Sequence, residues 1–237
     1  MGTLYLIRHG QASYGEADYD RLSERGHAQA RAVGRWLAEA RLDALYAGPL
    51  RRQQQTAETA ATTAAEAGTA LPALETLPAM AEYPGFELIK HFVPRLVAED
   101  SRFATLGTAP TPRLLDHAFH TILARWGGDE WAVDGVERVT AFVARVRAGL
   151  THMLAAAAPG ARIACVTSAG PIGVALGLTF AIPDARMVET SIVIRNASIT
   201  ELRFRSRAHG AAWHPDQVSL VTFNTTGHLP ADLHTER

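Results

Sequence analysis

The residues best suited to chemistry leave an apolar run together. After Leu4-Tyr5-Leu6-Ile7 the chain reads Arg8-His9-Gly10-Gln11-Ala12-Ser13. A guanidinium presents a planar fork of donors that matches phosphate oxygens. An imidazole that is largely neutral near pH 7 can attack phosphorus without a metal. A glycine beside them lets the backbone turn tightly and bring its N–H up to a ligand. A second basic pair, Arg51-Arg52, follows Gly48-Pro49-Leu50. A lone Arg-His pair is more often a polar cap on a strand end. The glycine and the strand in front, together with further matches along the chain, argue instead for an anion site.

Elements must hold these groups in place. Leu4 to Ile7 and Ala44 to Ala47 are short continuous apolar runs, which read as buried strands. Ala28, Ala32, Trp36 and Leu37 recur at helical spacing, predicting a helix over Gly26 to Ala40. The Gln-, Thr- and Ala-rich stretch from about Leu50 to Ala67 has no breakers and reads as a helix. Leu74 to Leu77 is a third strand candidate. From about Pro84 to Asp134 the pattern is irregular, with turn signals at Gly107, Pro110, Pro112 and Gly127-Gly128. It reads as a mostly helical insertion carrying Phe86 to Val97 and Arg113 to Trp126. Val139, Phe142, Val143, Val146, Leu150 and Met153 mark a helix over about Val136 to Ala155. Ile163 to Val166 is another buried strand, followed by a turn at Ser168-Ala169-Gly170-Pro171 and a helix through Leu178. Ser191 to Ile194, Ile199 to Phe204 and Val218 to Phe223 read as strands, and the tail after Leu229 as frayed.

Strands alternating with helices imply an α/β fold, a three-layer α/β/α sandwich with a mainly parallel central sheet and a mostly helical insertion. The whole chain, 1–237, reads as a single domain with the insertion at about 84–134 serving as a lid. In such sheets ligands bind at the carboxyl ends of strands. Arg8-His9-Gly10 and Thr167-Ser168-Ala169-Gly170 both sit there.

With these residues in this order, the chain resembles the histidine phosphatase superfamily, which includes phosphoglycerate mutases and many small phosphatases. Arg8-His9-Gly10 is similar to the family signature. Leu22 to Ala30, Gly48 to Ala57, Asn196 to Thr200 and Phe223 to Leu229 are similar to its later segments. The resemblance implies a two-step reaction, with His9 as the nucleophile and Arg8 and Arg52 holding the phosphoryl oxygens. It implies a carboxylic acid after the third strand; Met80-Ala81-Glu82-Tyr83-Pro84-Gly85 is the best fit, so Glu82 is the expected acid, with Glu75 and Glu87 as competitors. Gly10, Gln11 and Ser13 are expected to line the phosphate pocket. One position departs from the pattern. The family usually places a second histidine where this chain has Ser168, and a serine hydroxyl is a shorter, neutral donor. That loss is worth roughly 2–4 kcal/mol of transition-state stabilisation. The backbone of Ser168 and Ala169, at the start of a helix, still offers N–H groups to an anion. His91, His117, His120, His152, His209, His214 and His228 are candidates to replace the missing imidazole. Asp116, His117 and His120 fall short of a metal-ligand signature, and the implied chemistry needs neither a metal nor another cofactor.

Bulk properties set the remaining bounds. The 237 residues are 47% hydrophobic and 20% charged, with a formal net charge of −1, so no nucleic-acid partner and no membrane partner is expected. No stretch is long and apolar enough for a signal peptide or a membrane span. The single cysteine, Cys165, excludes an internal disulfide and fits a cytoplasmic protein. Three functions follow: a metal-independent phosphomonoesterase acting on a small phosphorylated substrate; a phosphoglycerate mutase, disfavoured because Glu82 to Lys90 lacks a mutase-like run of basic residues; and a phospho-ligand binder with weakened catalysis. The substrate and the oligomeric state stay open, a homodimer paired through the C-terminal strands being one possibility.

Overall fold

A computed structural model describes residues 1–13, 19–205 and 213–236. His209 lies outside these residues. Among them, six strands form one sheet in the order β3-β2-β4-β1-β5-β6. The strands are β1 (Gly2–Arg8), β2 (Ala44–Ala47), β3 (Leu74–Thr76), β4 (Arg162–Thr167), β5 (Ile199–Phe204) and β6 (Val218–Thr225). β1 and β4, β2 and β4, and β2 and β3 pair in parallel. β5 runs antiparallel to both β1 and β6, leaving β6 as an edge.

Side-chain alternation along the central strands builds two cores. Leu4, Leu6, Ile163, Cys165 and Leu202 face one side and pack with α5 (Val139–Ala156) and α6 (Ala169–Thr179). Tyr5, Ile7, Leu45, Ala164 and Val166 face the other side, toward α1 (Glu24–Ala40) and α2 (Arg51–Glu66). The expected three-layer α/β sandwich is therefore present. α6 is buried on every side, as expected of a helix that is apolar all round. The Cys165 thiol is buried and pushed up by desolvation, which fits an inert core residue rather than a nucleophile. α3 (Gly85–Glu99) and α4 (Pro112–Gly127) occupy most of the stretch read as the insertion. Both contribute to the first core, through Leu88, Phe92, Ile122 and Trp126.

Two expectations fail. Ser191 to Ile194 is not a strand: Val188–Ser191 forms a 3-10 turn. There the Thr190 hydroxyl donates to the Met187 carbonyl at 2.7 Å and the Ser191 hydroxyl to the Val188 carbonyl at 2.6 Å. Such local side-chain bonds compete with a ladder. The tail from Pro230 to Glu236 is not frayed. The Gln29 amide donates to the Leu233 carbonyl and the Thr235 hydroxyl, and Asn196 N–H donates to the Thr235 carbonyl.

The loop leaving β1 rests on α1 through two glycines. A Cβ on Gly10 would stand 2.5 Å from the Gly26 carbonyl oxygen, and one on Gly26 would stand 2.1 Å from that of Gln11. We expect Gly26→Ala to cost roughly 1–3 kcal/mol, the scale of overpacking a tight contact. A thermal melt checks this; an unchanged midpoint would show that the loop can lift off α1 without loss.

Candidate active site

His9 follows β1 and is only 5% exposed. Its backbone is clamped on both sides: its N–H donates to the Thr167 carbonyl, and its carbonyl accepts from Ala197 N–H. The ring is oriented by a 2.7 Å contact between Nδ1 and the Gly10 carbonyl. A carbonyl only accepts, so the proton sits on Nδ1 and the Nε2 lone pair is left outward. Arg52 Nε–H donates to that Nε2 at 3.0 Å. Burial, then the charges of Arg52 and Arg8, hold the imidazole well below its ordinary value. His9 is therefore neutral near pH 7, with its lone pair facing a cation.

The cations come from two elements. Arg52, in the first turn of α2, is 9% exposed. Arg51 beside it is exposed, as expected for a surface residue of the helix. Arg8 ends β1; its Nη1 donates to the carbonyls of Ile194 and Glu236. Its buried Nε has no hydrogen-bond partner among the described residues. Burial lowers the guanidinium from its ordinary value, opposed first by the nearby Glu82.

Glu82 lies within electrostatic reach of both arginines. Its carboxylate accepts from Gly170 N–H at 3.1 and 3.2 Å and from Tyr83 N–H at 3.0 Å. Burial raises this carboxyl above its ordinary value, outweighing Arg52, the two N–H groups and Arg8. The turn before it is held by Arg145, whose Nη1 donates to the carbonyls of Ala79 and Ala81. Glu75 is exposed on β3 opposite His152, and Glu87 is exposed on α3 beside Lys90 and His91.

The other expected pocket residues have hydrogen-bond or packing partners within the fold. Gly10 N–H donates to the Thr56 hydroxyl at 3.0 Å, and close packing on Gly26 leaves no room for a side chain there. Gln11 Oε1 accepts from the Ser23 hydroxyl. Ser13 is buried, with its N–H on the Arg21 carbonyl. Ser168 is fully buried, and its hydroxyl accepts from Gln53 Nε2 at 2.8 Å. The anion held at the start of α6 is the Glu82 carboxylate, on Gly170, while Ala169 is nearly buried beside it. Ser168→Ala should therefore affect stability more than turnover. Leaving the Gln53 donor short of a partner costs ~1–3 kcal/mol, readable by denaturant titration beside steady-state kinetics; a collapse of kcat at unchanged stability would contradict it.

Among the described residues, the histidines considered as replacements lie in other contacts. The His117 ring packs tilted against Phe103, His120 faces Asp116, His214 faces Asp216, and His228 meets the Ala197 carbonyl. Among the described residues, no group of three or more His, Cys, Asp or Glu side chains is arranged to hold a metal. Likewise, no helix of the described residues is long and apolar enough to cross a membrane. The sequence reading missed Gln53 and Thr56, at one residue and one turn after Arg52, and Asn196, whose amide donates to the His9 carbonyl at 3.4 Å. For Thr56, one helical turn after Arg52, that spacing was the available signal.

Known structures share this fold. Mycobacterial glucosyl-3-phosphoglycerate phosphatase superimposes with a TM-score of 0.63 at 21% identity, covering 95% of this chain and 100% of that one. Phosphoserine phosphatase from Entamoeba histolytica gives 0.63 at 20%, covering 97% and 100%. Bacillus stearothermophilus YhfR gives 0.65 at 17%, covering 96% and 99%. No curated protein sequence matches. A family model described as histidine phosphatase superfamily (branch 1) matches residues 4–83 and 110–215, and the gap takes in α3. Arg8, His9, Arg52, Glu82 and Ser168 all fall inside a match that spans most of the sequence, and by it the chain belongs to the histidine phosphatase superfamily, branch 1.

Proposed function

We propose that the chain hydrolyses small phosphomonoesters in the cytoplasm, through a phosphohistidine on His9 and without a metal ion. The observation that carries this reading is the state of His9: neutral, protonated on Nδ1, with Nε2 directed at Arg52. In the first step Nε2 attacks phosphorus. The N–P bond forms as the ester P–O bond breaks, and Glu82 gives its proton to the leaving oxygen. In the second, the Glu82 carboxylate takes a proton from water as that water attacks phosphorus and the N–P bond breaks. Arg52 and Arg8 offset the charge on the phosphoryl oxygens throughout. The start of α6, with Ser168 and Ala169, and the loop with Gly10, Gln11 and Ser13 wall the pocket. In a single domain, α3 and α4 act as the lid that selects the leaving group. The names of the similar structures, phosphatases of glucosyl-3-phosphoglycerate and phosphoserine, favour hydrolysis of small phosphorylated metabolites over mutase transfer.

A second reading, a phospho-ligand binder, draws on Ser168, whose hydroxyl is turned onto Gln53. Phosphate release from an aryl phosphate and a panel of phosphomonoesters, in EDTA, separates the two. Release with an acid-labile, alkali-stable phosphoprotein after rapid quench is expected. Binding of inorganic phosphate without release from any ester would leave only the binder.

A further inference from the structure

Asp20 grips Arg52 from the side away from His9. Its Oδ1 accepts from Arg52 Nη1 at 2.5 Å, and its Oδ2 accepts from Arg51 N–H at 2.8 Å. Arg51 opens α2, whose N-cap residue, Leu50, has no side-chain oxygen. A carboxylate from another segment therefore takes an anion position at this helix N-terminus. The Tyr19 ring lies 5.7 Å from Arg52 Cζ and packs edge-on against Phe86 of α3, 5.0 Å away.

The geometry of a guanidinium makes the attachment point matter. Nη1 lies on the Cδ side of Cζ, whereas Nε–H and Nη2 share the opposite edge. That edge can take two phosphate oxygens side by side. Its Nε–H is the donor already directed at His9 Nε2, 3.0 Å away. Bonding to Nη1 thus leaves the two-donor edge turned toward the nucleophile.

We propose that Asp20 is a positioning residue for Arg52: by holding Nη1, it presents the Nε/Nη2 edge to a phosphoryl group at His9. This rests on the function proposed above. Asp20 itself touches no reacting atom.

The test is a double-mutant cycle in the full chain: Asp20→Ala, Arg52→Ala and both together, with Asp20→Asn as the conservative variant. Hydrolysis of an aryl phosphate, calorimetric binding of vanadate and thermal stability are read for each. Asp20→Ala is expected to lower kcat by ~10–100-fold, the effect of a small misplacement of a catalytic group, with KM changed less. Vanadate binding should weaken with it. Asp20→Asn should fall between, because its amide oxygen still accepts at Nη1. In the Arg52→Ala background, Asp20→Ala should have no further effect on turnover or vanadate binding, whereas a lost helix cap would still lower the melting point there. Additive losses would overturn the proposal. So would a gain in kcat/KM with tighter phosphate binding, which would mark Asp20 as a competitor for Arg52. If the wild type hydrolyses no ester, the function fails, and the vanadate cycle alone decides the role of Asp20. Absence of vanadate binding by the wild type would overturn both.

Discussion

His9→Ala is expected to bring phosphate release down to the background rate and to abolish the quench-stable phosphoprotein. Covalent catalysis divides one difficult displacement into two, and removing the nucleophile removes both halves. Loss of a nucleophile costs on the order of 10⁴-fold or more in kcat. Among the described residues, the histidines considered as replacements are held in other contacts, His117 against Phe103 and His228 on the Ala197 carbonyl among them. The fold should survive, since among the described residues the His9 ring bonds only to the Gly10 carbonyl and to Arg52. Circular dichroism should therefore match the wild type. Residual turnover within about tenfold of wild type would assign the chemistry to another group and remove the phosphohistidine from the mechanism.

Glu82→Gln has the second largest expected effect, and its size depends on the leaving group. The substitution keeps the shape and an oxygen for Gly170 N–H, but it has no proton to give. For an alkyl phosphate, whose alkoxide leaves poorly, kcat/KM should fall by ~10²–10⁴-fold, the range of general acid catalysis. For a nitrophenyl ester, whose anion leaves unaided, the loss should be far smaller. The pH profile sharpens the test. His9 is held below its ordinary value and must be neutral to attack, so the acid limb belongs to His9 and lies at low pH. Glu82 is raised above its ordinary value and must be protonated to act, so activity falls as pH rises through its shifted value. Glu82→Gln should flatten that alkaline limb in kcat/KM and leave the acid limb in place. An alkaline limb retained by the variant would place the acid elsewhere; Tyr83, whose phenol burial pushes well up, adjoins the same site.

Much of this molecule is legible along the chain. The strands at Leu4 to Ile7 and Ile163 to Val166 are continuous apolar runs because both of their faces are covered, and no other local structure suits such short segments. The helix through Val139 to Met153 announces itself by one apolar stripe. Arg8-His9-Gly10 is recognisable because a strand end is a local feature and the chemistry of each residue type travels with it; Arg52 is picked out by the resemblance of its segment to the family. The errors were local patterns overruled by particular bonds. Ser191 to Ile194 has strand-like residues, yet the hydroxyls of Thr190 and Ser191 close a turn. The tail carries no apolar period, yet Gln29, Asn196 and Arg8 hold its carbonyls and the Thr235 hydroxyl.

What the sequence determined by itself was the α/β layering, the central strands and main helices, and the identity of the groups at the strand ends. Only the tertiary structure decided which partners those groups have. It set Asp20 against Arg52, Gln53 against Ser168 and Gly170 against Glu82, pairs separated by 32, 115 and 88 positions. It also decided which proton His9 carries and in which direction Glu82 titrates. Periodicity reports the environment of a residue averaged over a face. A hydrogen bond between distant segments depends on angles and tenths of an ångström, which are set only once the sheet has closed and α1, α2 and α6 have packed against it.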